Sequence, residues 1–183
     1  DRPKDPDFVA PGDYRYASDL VSDLTTRGEF CIGGACYPEG HPESGHKDRD
    51  LANLKTKVDA GCSFLTTQMF FDNNMLYSFL YRAQAAGIRV PILAGIMPVT
   101  NGNQLKRMME LSNAYLPPKF LALVDRFGDN NEAMKQAGIA YATEQIIDLV
   151  TNGVRGIHIY AMNKPDVIRQ IVGNISAILR EAR

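Results

Sequence analysis

The sequence is short of cysteine, of net charge and of uninterrupted hydrophobic stretches. Only Cys31, Cys36 and Cys62 occur in 183 residues. An odd, small number fits reduced thiols in a cytoplasmic protein. No histidine or cysteine cluster has zinc spacing, so buried structural cysteines are expected and no metal site. Lys and Arg number 20 against 21 Asp and Glu, a net charge of -1. That balance removes the electrostatic case for nucleic acid or an anionic membrane as partner. The longest apolar run, Ile88 to Val99, is broken by Arg89, Pro91 and Pro98, and falls short of a membrane span. No Walker loop, G-x-G-x-x-G, G-x-S-x-G or H-E-x-x-H motif occurs, which leaves the common phosphate, hydrolase and metalloprotease signatures without support. The N-terminus, Asp1-Arg2-Pro3-Lys4-Asp5-Pro6-Asp7, is polar and proline-rich and is no secretory signal. It lacks an initiator Met, so the chain reads as processed or as part of something longer.

What is present is an alternation of helix and strand signals. Residues 1–12 read as a loop leading in. Apolar residues recur at helical spacing from Tyr14 to Thr26. Glu29 to Tyr37 reads as a strand with Gly33 and Gly34 inside it, where something packs close to the backbone. Helices are expected over Asp48–Ala60 and from an Asn73 or Asn74 cap to Ala86, closed by Gly61 and Gly87. Strands are expected over Ser63–Phe70 and Val90–Met97. Further helices are expected from Thr100 to Leu111, Pro117 to Arg126 and Asn131 to Val150. A last strand, Gly156–Ala161, precedes a C-terminal helix capped by Asn163, with Pro165 in its first turn. Helices alternating with four short strands argue for parallel βα units in one domain. Four units suit a doubly wound sheet of four or five strands or half of an eight-stranded barrel. The extra helix between the third and fourth strands, and the ligand-type residues after the strands, favour the barrel. On that reading the chain is the C-terminal half.

Parallel sheets place ligand-binding residues at the C-terminal ends of their strands. Tyr37, Gln68 and Tyr160 stand at those ends. Tyrosines there either plug the sheet or stack on a planar ligand. Gln68 ends an otherwise apolar strand, so its amide needs a partner, in the core or on a ligand. His41 lies between Gly40 and Pro42 and is either solvated or functional. Asp50, Asn53 and Lys57 share one helical face at i, i+3 and i+7, a solvated face in the plainest reading.

Six blocks carry a resemblance. They are Tyr16-Ala17-Ser18-Asp19-Leu20, Tyr37-Pro38-Glu39-Gly40-His41-Pro42-Glu43, Leu54 to Gly61, Thr67-Gln68-Met69-Phe70-Phe71-Asp72, Gly95-Ile96-Met97-Pro98-Val99 and His158-Ile159-Tyr160-Ala161-Met162-Asn163. In that order and spacing the chain resembles the methylenetetrahydrofolate reductases. The resemblance implies a flavin-binding (β/α)8 TIM barrel, of which this chain supplies roughly strands five to eight. It implies reduction of 5,10-methylenetetrahydrofolate to 5-methyltetrahydrofolate with NADH or NADPH, through FAD rather than FMN. By resemblance Tyr16, Ala17, Ala35, Tyr37, His41, Asp50, Asn53, Lys57 and Tyr160 match flavin-binding positions, and Asp1 matches an aspartate near the flavin ring. Gln68 matches a glutamine that serves folate and nicotinamide in turn. Gln104 and Lys164 match substrate positions. Lys57 and His41 would meet the pyrophosphate, and Asp50 the ribose hydroxyls.

The chain departs from the family pattern in places. Thr56 replaces a basic residue. Lys164 replaces an arginine, keeping charge but losing the bidentate fork. Met108 replaces an aromatic residue. The glutamate that acts as general acid in the family, on its first strand, is absent from the chain. The implied partners are the N-terminal half of the barrel, a homo-oligomer or both, and alone the chain is expected to be inactive. The alternative is a non-catalytic half-barrel or split subunit that needs a partner chain. A proline dehydrogenase relative is a third reading, against which Gln68 and the Pro38–Pro42 run speak.

Overall fold

A computed structural model of the chain describes residues 12–103, 105, 108, 109 and 114–181. Asp1 and Gln104 lie outside the described residues, as do most of the lead-in loop and part of the helix expected after Thr100.

Four strands form one parallel sheet in the order β1-β2-β3-β4. They are β1 (Gly33–Cys36), β2 (Phe64–Thr67), β3 (Ile92–Ile96) and β4 (Ile157–Ile159). Every pairing is parallel, with Cys36 beside Thr67 and Ile96 beside Ile159. A doubly wound sheet reverses its strand order at a switch point. This sheet runs in one direction from β1 to β4, the arrangement of successive barrel strands.

Six α-helices have described bounds: α1 (Ala17–Arg27), α2 (Lys47–Asp59), α3 (Asn73–Ala85), α4 (Pro118–Phe127), α5 (Asn131–Thr151) and α6 (Pro165–Glu181). The helix positions follow the sequence pattern closely, while the strands are shorter than expected. Phe30 to Ile32 continue the apolar run ahead of β1 but lie before its paired residues; among the described residues β1 has one neighbour and pairs with it over four positions. Several caps differ from the sequence reading. Asp72, not Asn73 or Asn74, caps α3 by accepting from Asn74 N. Asn101 rather than Thr100 accepts from Asn103 N at 2.8 Å. Asn163 takes a left-handed φ of 58° instead of capping α6, which leaves Lys164 immediately before the proline that starts the helix.

One sheet face is packed. Cys36, Leu65, Ala94 and Ile96 meet Leu54 of α2, Leu76 and Phe79 of α3, Ile146 and Leu149 of α5, and Ile171 and Ile175 of α6 in a single cluster. Val167, Ile171 and Ile175 recur every four residues, so α6 lays one stripe on the sheet. Each such fully buried aliphatic side chain contributes about 1.5–3 kcal/mol. The opposite face carries Gly33, Ala35, Phe64, Thr66, Leu93, Gly95 and His158, by strand alternation. Of these only Gly95 is buried; Gly33, Ala35 and His158 are exposed. A second cluster of Met69, Phe71, Val99, Met108, Phe120 and Met134, with Met97 and Tyr160 against it, joins the loops after β2, β3 and β4.

Cys36 and Cys62 are buried, as expected of structural cysteines, but Cys31 is exposed. It precedes the paired part of β1, so no sheet neighbour covers it. Burial pushes the Cys36 thiol up to about 12, which keeps it protonated and unreactive.

Candidate functional site

Tyr37, Gln68, Met97 and Tyr160 each follow the last residue of a strand. The register sets Tyr37 beside Gln68 and Met97 beside Tyr160. Tyr160 reaches across the sheet: its hydroxyl donates to Thr67 O at 2.8 Å. The ring passes over Gly95, where a Cβ would stand 2.8 Å from the ring and 2.2 Å from Thr67 O. Glycine is required at that position because any side chain would collide with backbone as well as ring.

Tyr37 opens the β1 loop. His41 packs edge-on against its ring, with centroids 4.6 Å apart. His41 Nδ1 accepts from Glu43 N at 3.2 Å. In that arrangement Nδ1 is the unprotonated nitrogen and Nε2 carries a proton to donate. Burial raises the Tyr37 phenol pKa, and the nearby Asp50 and Tyr160 add to the shift. Asp50, in the first turn of α2, accepts from Ser44 Oγ at 3.0 Å. Two turns on, Lys57 donates its ammonium to Ala35 O. The carbonyls of Ile32 and Cys36 point to β2, so by alternation Ala35 O points to the free edge of β1. Lys57 therefore caps that edge with a charge, a recognised way of blunting an unpaired strand.

Gln68 is half-buried. Its backbone N donates to Cys36 O at 2.7 Å, and its side-chain Oε1 accepts from Met69 N at 2.9 Å. The carbonyl end of the amide is thus spent locally, and Nε2 has no partner among the described residues. Gln68 shares a small cleft with Tyr37, Pro38, Glu39 and Gly40.

The structure therefore gathers Ala35, Tyr37, His41, Asp50 and Lys57 around the β1–α2 connection, with Gln68 and Tyr160 alongside. Asn53 is exposed on the same helix. Tyr16 and Ala17 open α1, where Tyr16 is 59% exposed and touched by the Arg15 guanidinium. Neither makes a described contact with the cluster. Lys164 stands apart, donating to Thr100 Oγ1 at 2.8 Å and so joining the loops after β3 and β4. Met108 is buried in the second cluster.

No role for Glu39 follows from the sequence pattern, and the structure gives it a distinct environment. Glu39 Oε2 accepts from Tyr115 N at 2.7 Å, and Oε1 is buried without a partner among the described residues. Burial raises its pKa, partly offset by Tyr115 N–H and Lys47. Tyr115 lies 76 residues away, so no local pattern could have shown this. The whole constellation offers a cation, a carboxylate, two rings and an amide donor at the C-terminal end of the sheet. Such groups are chemically suited to a ligand with both an anionic and a planar part. Among the described residues, no group of three His, Cys, Asp or Glu side chains is placed to hold a metal. No described helix is long and apolar enough to cross a membrane.

Comparison with known proteins agrees on one family. The family model for methylenetetrahydrofolate reductase matches residues 1–176. The 5,10-methylenetetrahydrofolate reductase of Escherichia coli is 39% identical over 152 residues, covering 83% of this chain and 51% of that protein. Methylenetetrahydrofolate reductase 1 of Schizosaccharomyces pombe is 33% identical over 178 residues, covering 96% of this chain and 30% of its own length. The chain thus spans about half of the bacterial relative and less than a third of the yeast one. Among solved structures, a Clostridium thermocellum protein described as binding two copies of 5-methyl-5,6,7,8-tetrahydrofolic acid has a TM-score of 0.58 at 16% identity. The match covers 85% of this chain and 56% of that one, and at this identity it speaks for the fold. Sheet order, the residues at the strand ends and the matched blocks converge: the chain belongs to the methylenetetrahydrofolate reductase family, a family of oxidoreductases.

Proposed function

We propose that the chain is the C-terminal half of a cytoplasmic, flavin-dependent reductase that converts 5,10-methylenetetrahydrofolate to 5-methyltetrahydrofolate with NADH or NADPH. The observation that carries this reading is the convergence of Tyr37, His41, Asp50 and Lys57 beside Gln68 and Tyr160. The donor set fits FAD. His41 Nε2–H and the Lys57 ammonium suit a pyrophosphate, Asp50 suits ribose hydroxyls, and the tyrosine rings with exposed Ala35 suit a flat ring system. FAD, when bound, supplies the redox chemistry. The protein residues bind and orient. Gln68 presents Nε2 to whichever substrate lies over the flavin, and Lys164 with Gln104 holds the folate. An Arabidopsis thaliana relative is named for NADH, which supports a nicotinamide donor.

The uncovered sheet face supports the second part of the reading. Exposed Gly33, Ala35 and His158 face the side where a barrel's interior would be. The β1 edge lacks a strand partner among the described residues. We take β1–β4 as strands five to eight, completed by the segment that gives the bacterial relative its other half. In that assembly Ala35 O pairs with the preceding strand, and Lys57 is released to the cofactor phosphate.

The test is Gln68→Ala in the complete reductase. Both half-reactions, flavin reduction by the nicotinamide and its reoxidation by folate, slow by about 10- to 100-fold, a loss expected when an orienting contact is removed. Stopped-flow rates at the wild-type level in both directions would remove Gln68 from the mechanism.

A further inference from the structure

The segment after Gln68 is held by a helix distant in sequence. Phe70 and Phe71 are 0% and 3% exposed, so their backbone carbonyls need partners. Gln145 Nε2 donates to Phe70 O at 3.0 Å, and Tyr141 OH donates to Phe71 O at 2.6 Å. Tyr141 and Gln145 are one turn apart on α5, so one helix face reads two successive carbonyls. Three residues further, Asp148 accepts from Asn73 Nδ2 at 2.6 Å and from Tyr77 OH at 2.7 Å. Asn73 Nδ2 also donates to Gln145 O. Positions 141, 145 and 148 thus form one polar stripe along the loop and the start of α3.

Gln145 is 7% exposed. An apolar residue there would avoid the desolvation of an amide, so its place is explained by the carbonyl it serves. Among the described residues the stripe leaves one buried acceptor, Asn73 Oδ1, without a partner. Upstream, Gln68 N is tied to Cys36 O. The four residues Gln68–Phe71 are therefore pinned by β1 at one end and by α5 at the other. Between the pins, Met69 N fixes Oε1 of Gln68, which sets the direction of Nε2.

We propose that Tyr141 and Gln145 are positioning residues for Gln68. They act through the Phe70 and Phe71 carbonyls, and their catalytic consequence rests on the reading of Gln68 as a substrate-orienting residue. Tyr141→Phe removes one hydrogen bond and keeps the ring packed edge-on against Phe120. Gln145→Met removes the other at similar size.

The first measurement is the ¹⁵N side-chain amide signal of Gln68, assigned by its loss in Gln68→Ala. It shifts in both variants, while the signals of exposed Gln84 and Gln170 stay in place. The second is a cycle with Gln68→Ala in the complete reductase. Each variant lowers kcat/KM for both substrates by roughly 10- to 100-fold with flavin content unchanged. Neither adds to the loss already caused by Gln68→Ala, because its target is gone. An unmoved Gln68 signal in folded Tyr141→Phe overturns the proposal, and so does a loss that adds fully to Gln68→Ala. Tyr141→Phe decides the matter if Gln145→Met does not fold. Should the wild-type reductase lack activity, the substrate reading falls and the amide signal still decides whether α5 positions Gln68.

Discussion

Glu39 brings a carboxylate into the gap between the β1 loop and Tyr115, and its protonation state is set by that gap. Burial raises its pKa above the usual 4.5, against the smaller pull of Tyr115 N–H and Lys47. A group whose folded pKa lies above its unfolded value binds its proton more tightly in the folded state. Its contribution to stability is complete below the unfolded value and is lost as pH rises through the folded one. Wild type is therefore expected to lose stability relative to Glu39→Gln as pH rises from about 4.5, and the difference levels off once Glu39 is ionised in both states. Thermal midpoints of the two proteins measured across that range check this. A constant difference between them would show that Glu39 titrates as an ordinary surface acid. The placement of Tyr37, His41 and Gln68 at strand ends and of Asp50 and Lys57 on one helix face was legible in the sequence, because it follows from short blocks and helical spacing. The environments of Glu39 and Gln145 were not, because their partners Tyr115 and Phe70 lie more than 70 residues away.

Helix α5 shows how much an element's role depends on what it packs against. Gly138, in its middle, is buried where a Cβ would stand 1.8 Å from Val99 O. Gly173, in the middle of α6, is exposed and has nothing within 4 Å of a Cβ. Both occupy helix interiors, where alanine outranks glycine by about 1 kcal/mol. Gly173→Ala should accordingly stabilise by about 0.5–1 kcal/mol. Gly138→Ala gains the same propensity but pushes the helix off the β3 loop, an overpacking cost of about 1–3 kcal/mol. The clash is with backbone, which cannot rotate away, so the cost wins and the midpoint falls. Denaturant midpoints of the two variants should move in opposite directions, and a stabilised Gly138→Ala would mean that α5 is free to shift. The helices were readable because their apolar stripes and glycine stops are local signals. The strands were readable as strands and not in their length, because their ends are defined by the pairing partner.

At the scale of the molecule, the sheet is covered on one face and largely bare on the other. Ala35 and His158 are exposed on the bare face, and Lys57 is occupied in capping the edge of β1. On the proposed reading, a flavin would use both the face and the lysine. The 183-residue chain alone is therefore predicted to retain no flavin through gel filtration and to oxidise no NADH. Supplying the strands that give the bacterial relative its additional half should restore both. Flavin absorbance co-eluting with the isolated chain would show that the half-sheet suffices as a site.

The sequence by itself determined the alternation of helix and strand, the parallel sheet, the strand-end residues and the family. Each of these rests on local periodicity or on blocks of adjacent residues. Tertiary structure decided the unbroken strand order, the closure of Tyr160 over Gly95, the burial of Glu39 and the grip of α5 on the Gln68 loop. These are contacts between residues far apart in the chain, and their geometry exists only once the sheet has set the strands side by side.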